Sequence, residues 1–166
     1  MSKKSPLPLR PNVCILLQNS DGKLLLGKRL GSDLSEKEEW QFPQGGVKKK
    51  YSLEENVLRE IEEELGLSDE LVEIKAKLDC VHEYEWFTPP KYAADKYRGQ
   101  SQTFWLVEFL GSDSDINVAT EEPEFSDWIW VNPDEVLSYT DEVREEGYRK
   151  ALNELSSAVL FLAALS

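Results

Sequence analysis

At 166 residues the chain is long enough for one domain with a real core and short for two. Its 40% hydrophobic and 31% charged content is that of a globular protein, not a disordered or fibrous one. A net charge of −13 argues against binding along extended nucleic-acid backbones, but admits a small polyanion that arrives with divalent cations.

The opening "MSKKSPLPLRPN" carries lysines but no apolar stretch of the kind a signal peptide needs, and residues 1–9 are expected to form a flexible lead. "NVCILLQNSDGKLLLGKRL" predicts a hairpin about Ser20-Asp21-Gly22, where glycine supplies the positive φ of a tight turn. Gly31–Glu39 is a polar loop. "WQFPQ" is extended, because Pro43 pushes the preceding residue out of helical geometry; Gly45-Gly46 are expected to break the chain.

Ser52 then starts a helix through a capping box with Glu55, and Gly66 ends it as a C-terminal glycine. "EIKAKLDCVHEYEWF" and "QTFWLVEFL" follow as strands separated by a loop, and "FSDWIWV" is another. Pro133 opens a short helix, and a long helix closes the chain, its apolar "AVLFLAAL" expected as a buried end. No apolar run approaches the roughly 20 residues of a membrane span. Cys14 and Cys80 lie in apolar strand-like runs and are expected as buried, reduced thiols, which suits the cytoplasm. The pattern predicts one mixed α/β domain, a sheet with helices packed against it.

The helix from Ser52 carries the chemistry. At about 100° per residue, Val57, Leu58, Ile61 and Leu65 share one arc, and Glu60, Glu63 and Glu64 share a second. Glu55 and Glu62 face away. Three carboxylates at i, i+3 and i+4 form a cluster of hard oxygen donors suited to Mg²⁺ and phosphate oxygens. The alternative is a solvated acidic face, with Arg59 satisfying Glu63 one turn on.

The run Gly45-(x)13-Arg59-Glu60-Ile61-x-Glu63-Glu64-x-Gly66-Leu67 resembles the Nudix box, the signature of the Nudix hydrolases. "RPNV", "WQFPQGG", "GQSQTFWLVEF", "INVAT" and "PEFSDWIWV" extend the resemblance from Arg10 to about Val136. Within that family they are similar to the bacterial RNA pyrophosphohydrolases and the asymmetric diadenosine tetraphosphate hydrolases. One position departs: the pattern's early glutamate, thought to support the loop, is here Tyr51, a change that the Ser52 cap is expected to compensate.

The resemblance implies an α/β fold, a Nudix-like α/β/α sandwich with a mixed sheet flanked by helices, over residues 1–166. It implies metal held by Glu60, Glu63, Glu64 and Glu124, as Mg²⁺ or Mn²⁺, with Gly45 or Gly46 contributing a carbonyl. Glu63, Glu64 and Glu124 are the catalytic set, and Glu121 and Glu122 compete for the place of Glu124. Arg10 is expected near the substrate's phosphates or base and Arg29 (with Lys28 beside it) near the phosphate chain, while Lys48–Lys50 are expected solvated, with a phosphate contact as the alternative. A base needs aromatic faces to stack on, for which Tyr84, Trp86, Phe87 and Phe125 are candidates; His82 is structural. The implied substrate is a 5′-triphosphorylated RNA end or a dinucleoside oligophosphate, with only the RNA end entering the site. Cleavage of nucleoside triphosphates or nucleotide sugars, and nucleotide binding without cleavage, are the alternatives.

Overall fold

In the computed structural model, residues 6–31, 40–91 and 93–165 are described, with side chains up to residue 157. The expected polar loop at 32–39, most of the N-terminal lead and the side chains of the apolar end 158–165 lie outside the described residues. In chain order the elements are β1 (Leu9–Gln18), β2 (Leu24–Arg29), β3 (Trp40–Gln41), β4 (Gln44–Gly46), α1 (Leu53–Leu65), β5 (Val72–Glu85), β6 (Gly99–Phe109), β7 (Phe125–Val131) and α2 (Glu142–Leu165). Short 3-10 turns lie at Asp69–Leu71, Asp113–Asp115 and Pro133–Tyr139.

The strands form one mixed sheet in the order β3-β2-β1-β6-β5, with β4 added to β1 and β7 to β2. β1 and β6 run parallel over the whole of β1, from Leu9 opposite Gly99 to Gln18 opposite Glu108. Alternation along these strands sends residues to opposite faces. Val13, Ile15, Leu17, Trp105 and Val107 pack under Val57, Ile61 and Leu65 of α1. Cys14, Leu16 and Phe104 pack under Tyr148, Ala151 and Leu155 of α2. The sheet is thus covered on both sides, the expected sandwich. No described helix is long and apolar enough to cross a membrane.

Three expectations change. The hairpin's turn is present, with Gly22 at φ 78°, but β1 and β2 pair only at Gln18 and Leu24. They splay apart because β4 takes the edge of β1 at Asn12–Cys14, and Pro43 O accepts the Ile15 N–H at 2.8 Å. Gly45 and Gly46 do not turn the chain; they are strand residues opposite Val13 and Asn12. Cys80 is only half-buried, since the register of β5 slips between Lys77 and Val81. The carboxylate of Glu154 on α2 fills that slip, accepting the N–H groups of Asp79 and Cys80 at 2.7–3.0 Å.

Candidate active site

Helix α1 is aimed by its ends and its buried stripe. The Ser52 hydroxyl accepts the Glu55 N–H at 3.1 Å, and the Glu55 carboxylate accepts the Ser52 N–H at 3.2 Å. Gly66, at φ 67°, closes the helix with its N–H donated to Glu62 O. Val57, Ile61 and Leu65 are fully buried, and side chains of this kind contribute about 1.5–3 kcal/mol each on burial. That rotation leaves Glu60 and Glu64 at the margin between core and cavity, both buried, with Glu63 and Glu62 exposed beyond them.

β4 passes directly in front of these carboxylates. A Cβ on Gly45 would collide with the Glu60 carboxyl, and one on Gly46 with the Arg10 guanidinium. Only glycine lets both groups lie against the strand. The bare backbone of β4 becomes a thin partition, with Glu60 on one side and Arg10 on the other. The Gln44 N–H adds a bond to Glu64 Oε2 at 3.2 Å.

Arg59 and Asn56 tie helix, partition and loop together. Arg59 Nη1 donates to Glu60 Oε1 at 2.9 Å and to Glu63 Oε2 at 3.0 Å. Its Nη2 donates to Gly46 O at 3.0 Å and Asn56 Oδ1 at 2.8 Å. Asn56, completely buried, also accepts the Lys48 N–H at 2.9 Å. Its Nδ2 donates to the carbonyls of Lys48, Tyr51 and Ser52 at 3.2, 3.4 and 2.8 Å. The loop ahead of the helix is therefore held from inside by an amide. The Ser52 hydroxyl, expected to compensate for Tyr51, serves the helix terminus instead. Tyr51 stands half-exposed on the cavity wall, with the Lys50 ammonium 5.1 Å from its ring centre.

The cavity has a volume of about 940 Å³. Glu60, Glu63, Glu64 and Glu124 line it together with Arg10, Arg29, Lys48 and Arg59. Desolvation by burial pushes the Glu60 carboxyl up to about 7, against the pull of Arg59. Burial, with repulsion from Glu60 and Glu124, pushes Glu64 well above the usual carboxylate range; the Gln44 N–H opposes this. Glu124 is exposed, its backbone oxygen tied to the Leu30 N–H at 3.0 Å, and its charge is felt by both buried acids. Glu121 and Glu122 also reach the cavity. Two polar atoms on the wall, Gln41 Oε1 and Thr120 Oγ1, have no hydrogen-bond partner among the described residues. Buried acids that repel one another offer hard oxygen donors of the kind a divalent cation takes.

Residues 8–154 match the NUDIX domain. The chain belongs to the Nudix family. It is 42% identical over 127 residues to an RNA pyrophosphohydrolase of Roseobacter denitrificans, covering 75% of this chain and 78% of the relative. An RNA pyrophosphohydrolase of Zymomonas mobilis is 37% identical over 160 residues, with 92% and 98% of the two chains covered. The fold is similar to that of a C. elegans Ap4A hydrolase solved as a binary complex, at a TM-score of 0.62 and 18% identity over 92% of this chain and 98% of the other. The protein is thus a Nudix pyrophosphohydrolase, and Nudix hydrolases generally need divalent metal ions.

Of the residues singled out in this Nudix sequence, Arg10, Arg29, Gly45, Gly46, Glu60, Glu63, Glu64 and Glu124 meet at the cavity. The aromatics do not. Phe125 is 1% exposed and lies over Gly27, where a Cβ would strike its ring, so its faces are spent in the core. Tyr84 stands outside the cavity wall, stacked on His82 at 5.3 Å, with its hydroxyl accepting from Gln100 Nε2 at 2.6 Å. Trp86 and Phe87 are also away from the wall, and the ring of Phe87 is fully exposed. Buried His82 packs against Gly147.

The cavity also holds amides that no motif marks. Asn12, Gln41, Gln44 and Gln100 line the cavity of this Nudix hydrolase, and Gln102 stands behind them. Their signal was present in "GQSQ", where polar residues recur every second position at the start of a strand that is otherwise apolar on that face.

Proposed function

We propose that the chain removes pyrophosphate from 5′-triphosphorylated RNA or splits dinucleoside oligophosphates, acting in the cytoplasm as one Nudix domain over residues 1–166. The observation that carries this reading is one cavity lined by both buried acids and arginines, in a chain whose relatives named above are RNA pyrophosphohydrolases. With a net charge of −13, the surface repels a long RNA, so the 5′ end alone enters.

Glu60, Glu63, Glu64 and Glu124 would hold Mg²⁺ or Mn²⁺. Among the described residues no three acidic, thiol or imidazole groups stand close enough together to hold an ion without rearrangement. Arg59 holds Glu60 and Glu63 toward itself, and ligation draws them off it. The bound ions supply charge neutralisation at phosphate and a lowered pKa for an attacking water.

Arg10 and Arg29 hold the phosphate chain, Arg10 from across the glycine partition. The water's proton passes to Glu64 or Glu124. For Glu64 the receiving atom is Oε1, because Gln44 already occupies Oε2. The water oxygen bonds to phosphorus as the anhydride bond breaks, so that triphosphorylated RNA gives a 5′-monophosphate end and pyrophosphate, which leaves as the anion.

A side-by-side assay with Mg²⁺ or Mn²⁺ against triphosphorylated RNA, diadenosine tetraphosphate and ADP-ribose tests the reading. Turnover of either of the first two well above ADP-ribose is expected. Preference for ADP-ribose overturns the substrate assignment, and cleavage of none favours a binding module.

A further inference from the structure

On the α2 side of the partition the polar groups form a directed chain. Gln102, buried in β6, donates from one nitrogen, Nε2, to Asn12 Oδ1 and to Gln44 Oε1, both at 3.1 Å. Asn12 Nδ2 donates to Gln100 Oε1 at 2.9 Å, and Gln100 Nε2 donates to the Tyr84 hydroxyl. The senses of the amides are coupled, since turning one over alone would set donor against donor or acceptor against acceptor at its neighbours. The other end of Gln102, its Oε1, is buried without a partner among the described residues, so Gln102 is held by the two bonds it donates.

The consequence falls on Gln44. Its Oε1 is taken, and its side chain lines the cavity, so the end of the amide turned to the cavity is the Nε2 donor. Gln44 and Gly46 share a face of β4 by strand alternation, and the Arg10 guanidinium lies against Gly46. A guanidinium and an amide N–H on one face offer donors and no acceptor. That suits an anion and does not suit the mixed edge of a nucleobase.

We propose that Gln44 donates its side-chain N–H to a phosphate oxygen of the substrate beside Arg10, and that Gln102 is the positioning residue that sets this orientation. The inference rests on the reading of the cavity as a pyrophosphate-cleaving site and adds a ligand to it.

The test uses the full chain, with inorganic pyrophosphate and Ca²⁺ as a binding probe read by calorimetry, and triphosphorylated RNA with Mg²⁺ for kinetics. Gln44→Met keeps the length of the side chain and removes its donor. It should weaken pyrophosphate binding ~10-fold, as for a hydrogen bond to a charged group, and raise KM more than it lowers kcat. Gln102→Leu should act in the same direction and less strongly. Gln102→Glu should exceed Gln102→Leu, because an acceptor at that place turns the Gln44 amide over and presents its oxygen to the phosphate. Pyrophosphate carries no base, so a loss seen there assigns the contact to phosphate.

Gln44 lies half-exposed at the wall, and Gln44→Met should fold with an unchanged melting temperature even if the buried Gln102 variants do not. Pyrophosphate binding by Gln44→Met within twofold of wild type overturns the proposal. A Gln102→Leu variant that lowers kcat with KM and pyrophosphate affinity unchanged overturns the positioning role. The binding arm is read without turnover, so a wild type that binds pyrophosphate but cleaves no substrate sinks the reading of the site and not the role of Gln44.

Discussion

The two sides of β4 handle polarity in opposite ways. Toward α1, buried carboxylates crowd together, and Glu60 and Glu64 both hold protons more tightly than free acids do. Toward α2, Asn12, Gln44, Gln100 and Gln102 satisfy one another in one directed chain. Both sides are buried and polar, yet one is frustrated and the other nearly complete. Buried acids that repel one another cost more than bonded amides, and Arg59 on Glu60 and the Gln44 N–H on Glu64 offset only part of that. A fold keeps such a cluster when something from outside completes it, and a divalent cation is what these oxygens suit. The complete side serves as a fixed wall against which phosphate can be placed.

The sharpest way to break the contrast is to neutralise the frustrated side. Glu63→Gln and Glu64→Gln should each lower turnover at least ~100-fold, the loss typical of removing a group that acts on the developing charge. Both should stay folded, and Glu64→Gln should be at least as stable as wild type without metal, since it removes a buried repulsion. Steady-state kinetics beside thermal melts would check this. Wild-type-like rates in both variants would remove the basis for assigning the metal to these residues.

A second break goes through Asn56, the residue that holds the loop to the frustrated side. Asn56→Ala leaves the Lys48 N–H and the Tyr51 carbonyl without this partner and takes one of two acceptors from Arg59 Nη2, while the Lys48 and Ser52 carbonyls keep the Tyr51 and Asn56 backbone N–H groups. Unsatisfied buried groups cost about 1–3 kcal/mol apiece, and water entering the space recovers part of that. A net loss of about 2–3 kcal/mol in denaturant unfolding is expected. Restoring a glutamate at Tyr51 in that background should recover little if the amide alone supports the loop.

The third prediction concerns pH. Glu60 rises from 4.5 to about 7 on folding, and Glu64 rises as well. Between those values the folded protein keeps protons that the unfolded chain has released. Their contribution to stability is full below about pH 4.5 and is lost as pH rises through 7. In EDTA, wild type should therefore lose on the order of 2 kcal/mol relative to Glu60→Gln between pH 5 and 7.5. Saturating Mg²⁺ should flatten that difference. Equal slopes in the two proteins would show that Arg59 already compensates Glu60.

This contrast also explains which parts of the site were legible in sequence. Helical periodicity separates Glu60, Glu63 and Glu64 from the core stripe, and caps mark both ends of α1, so the frustrated side could be placed residue by residue. Gly45 and Gly46 were legible as glycines but not as strand, because a collision between Glu60 or Arg10 and an absent Cβ has no local signal. Phe125 was misplaced for the same reason: Gly27, 98 residues away, makes its pocket. The ring of Tyr84 is legible in sequence, whereas the hydroxyl that accepts from Gln100 is not. The amide chain joins β1, β4, β5 and β6, and no window of sequence contains it. Asn56 sits at an ordinary helical position, and only its burial reveals its role.

The smallest effect separates the wall from the machinery. Tyr148 of α2 is buried, its ring lies 4.5 Å from Phe42, and its hydroxyl accepts the Phe42 N–H at 3.1 Å. Phe42 lies between β3 and β4, so this one bond joins α2 to the strand that carries the glycine partition. Tyr148→Phe keeps the ring contact and leaves a backbone donor unsatisfied in the core, which should cost about 1 kcal/mol. β4 stays paired with β1 along Asn12–Cys14, so the partition itself should not move. kcat/KM for triphosphorylated RNA should then change less than threefold while the melting temperature falls. A tenfold loss of kcat/KM with the same small loss of stability would mean that α2 sets the position of the glycines, and the two sides of β4 would have to be treated as one coupled device.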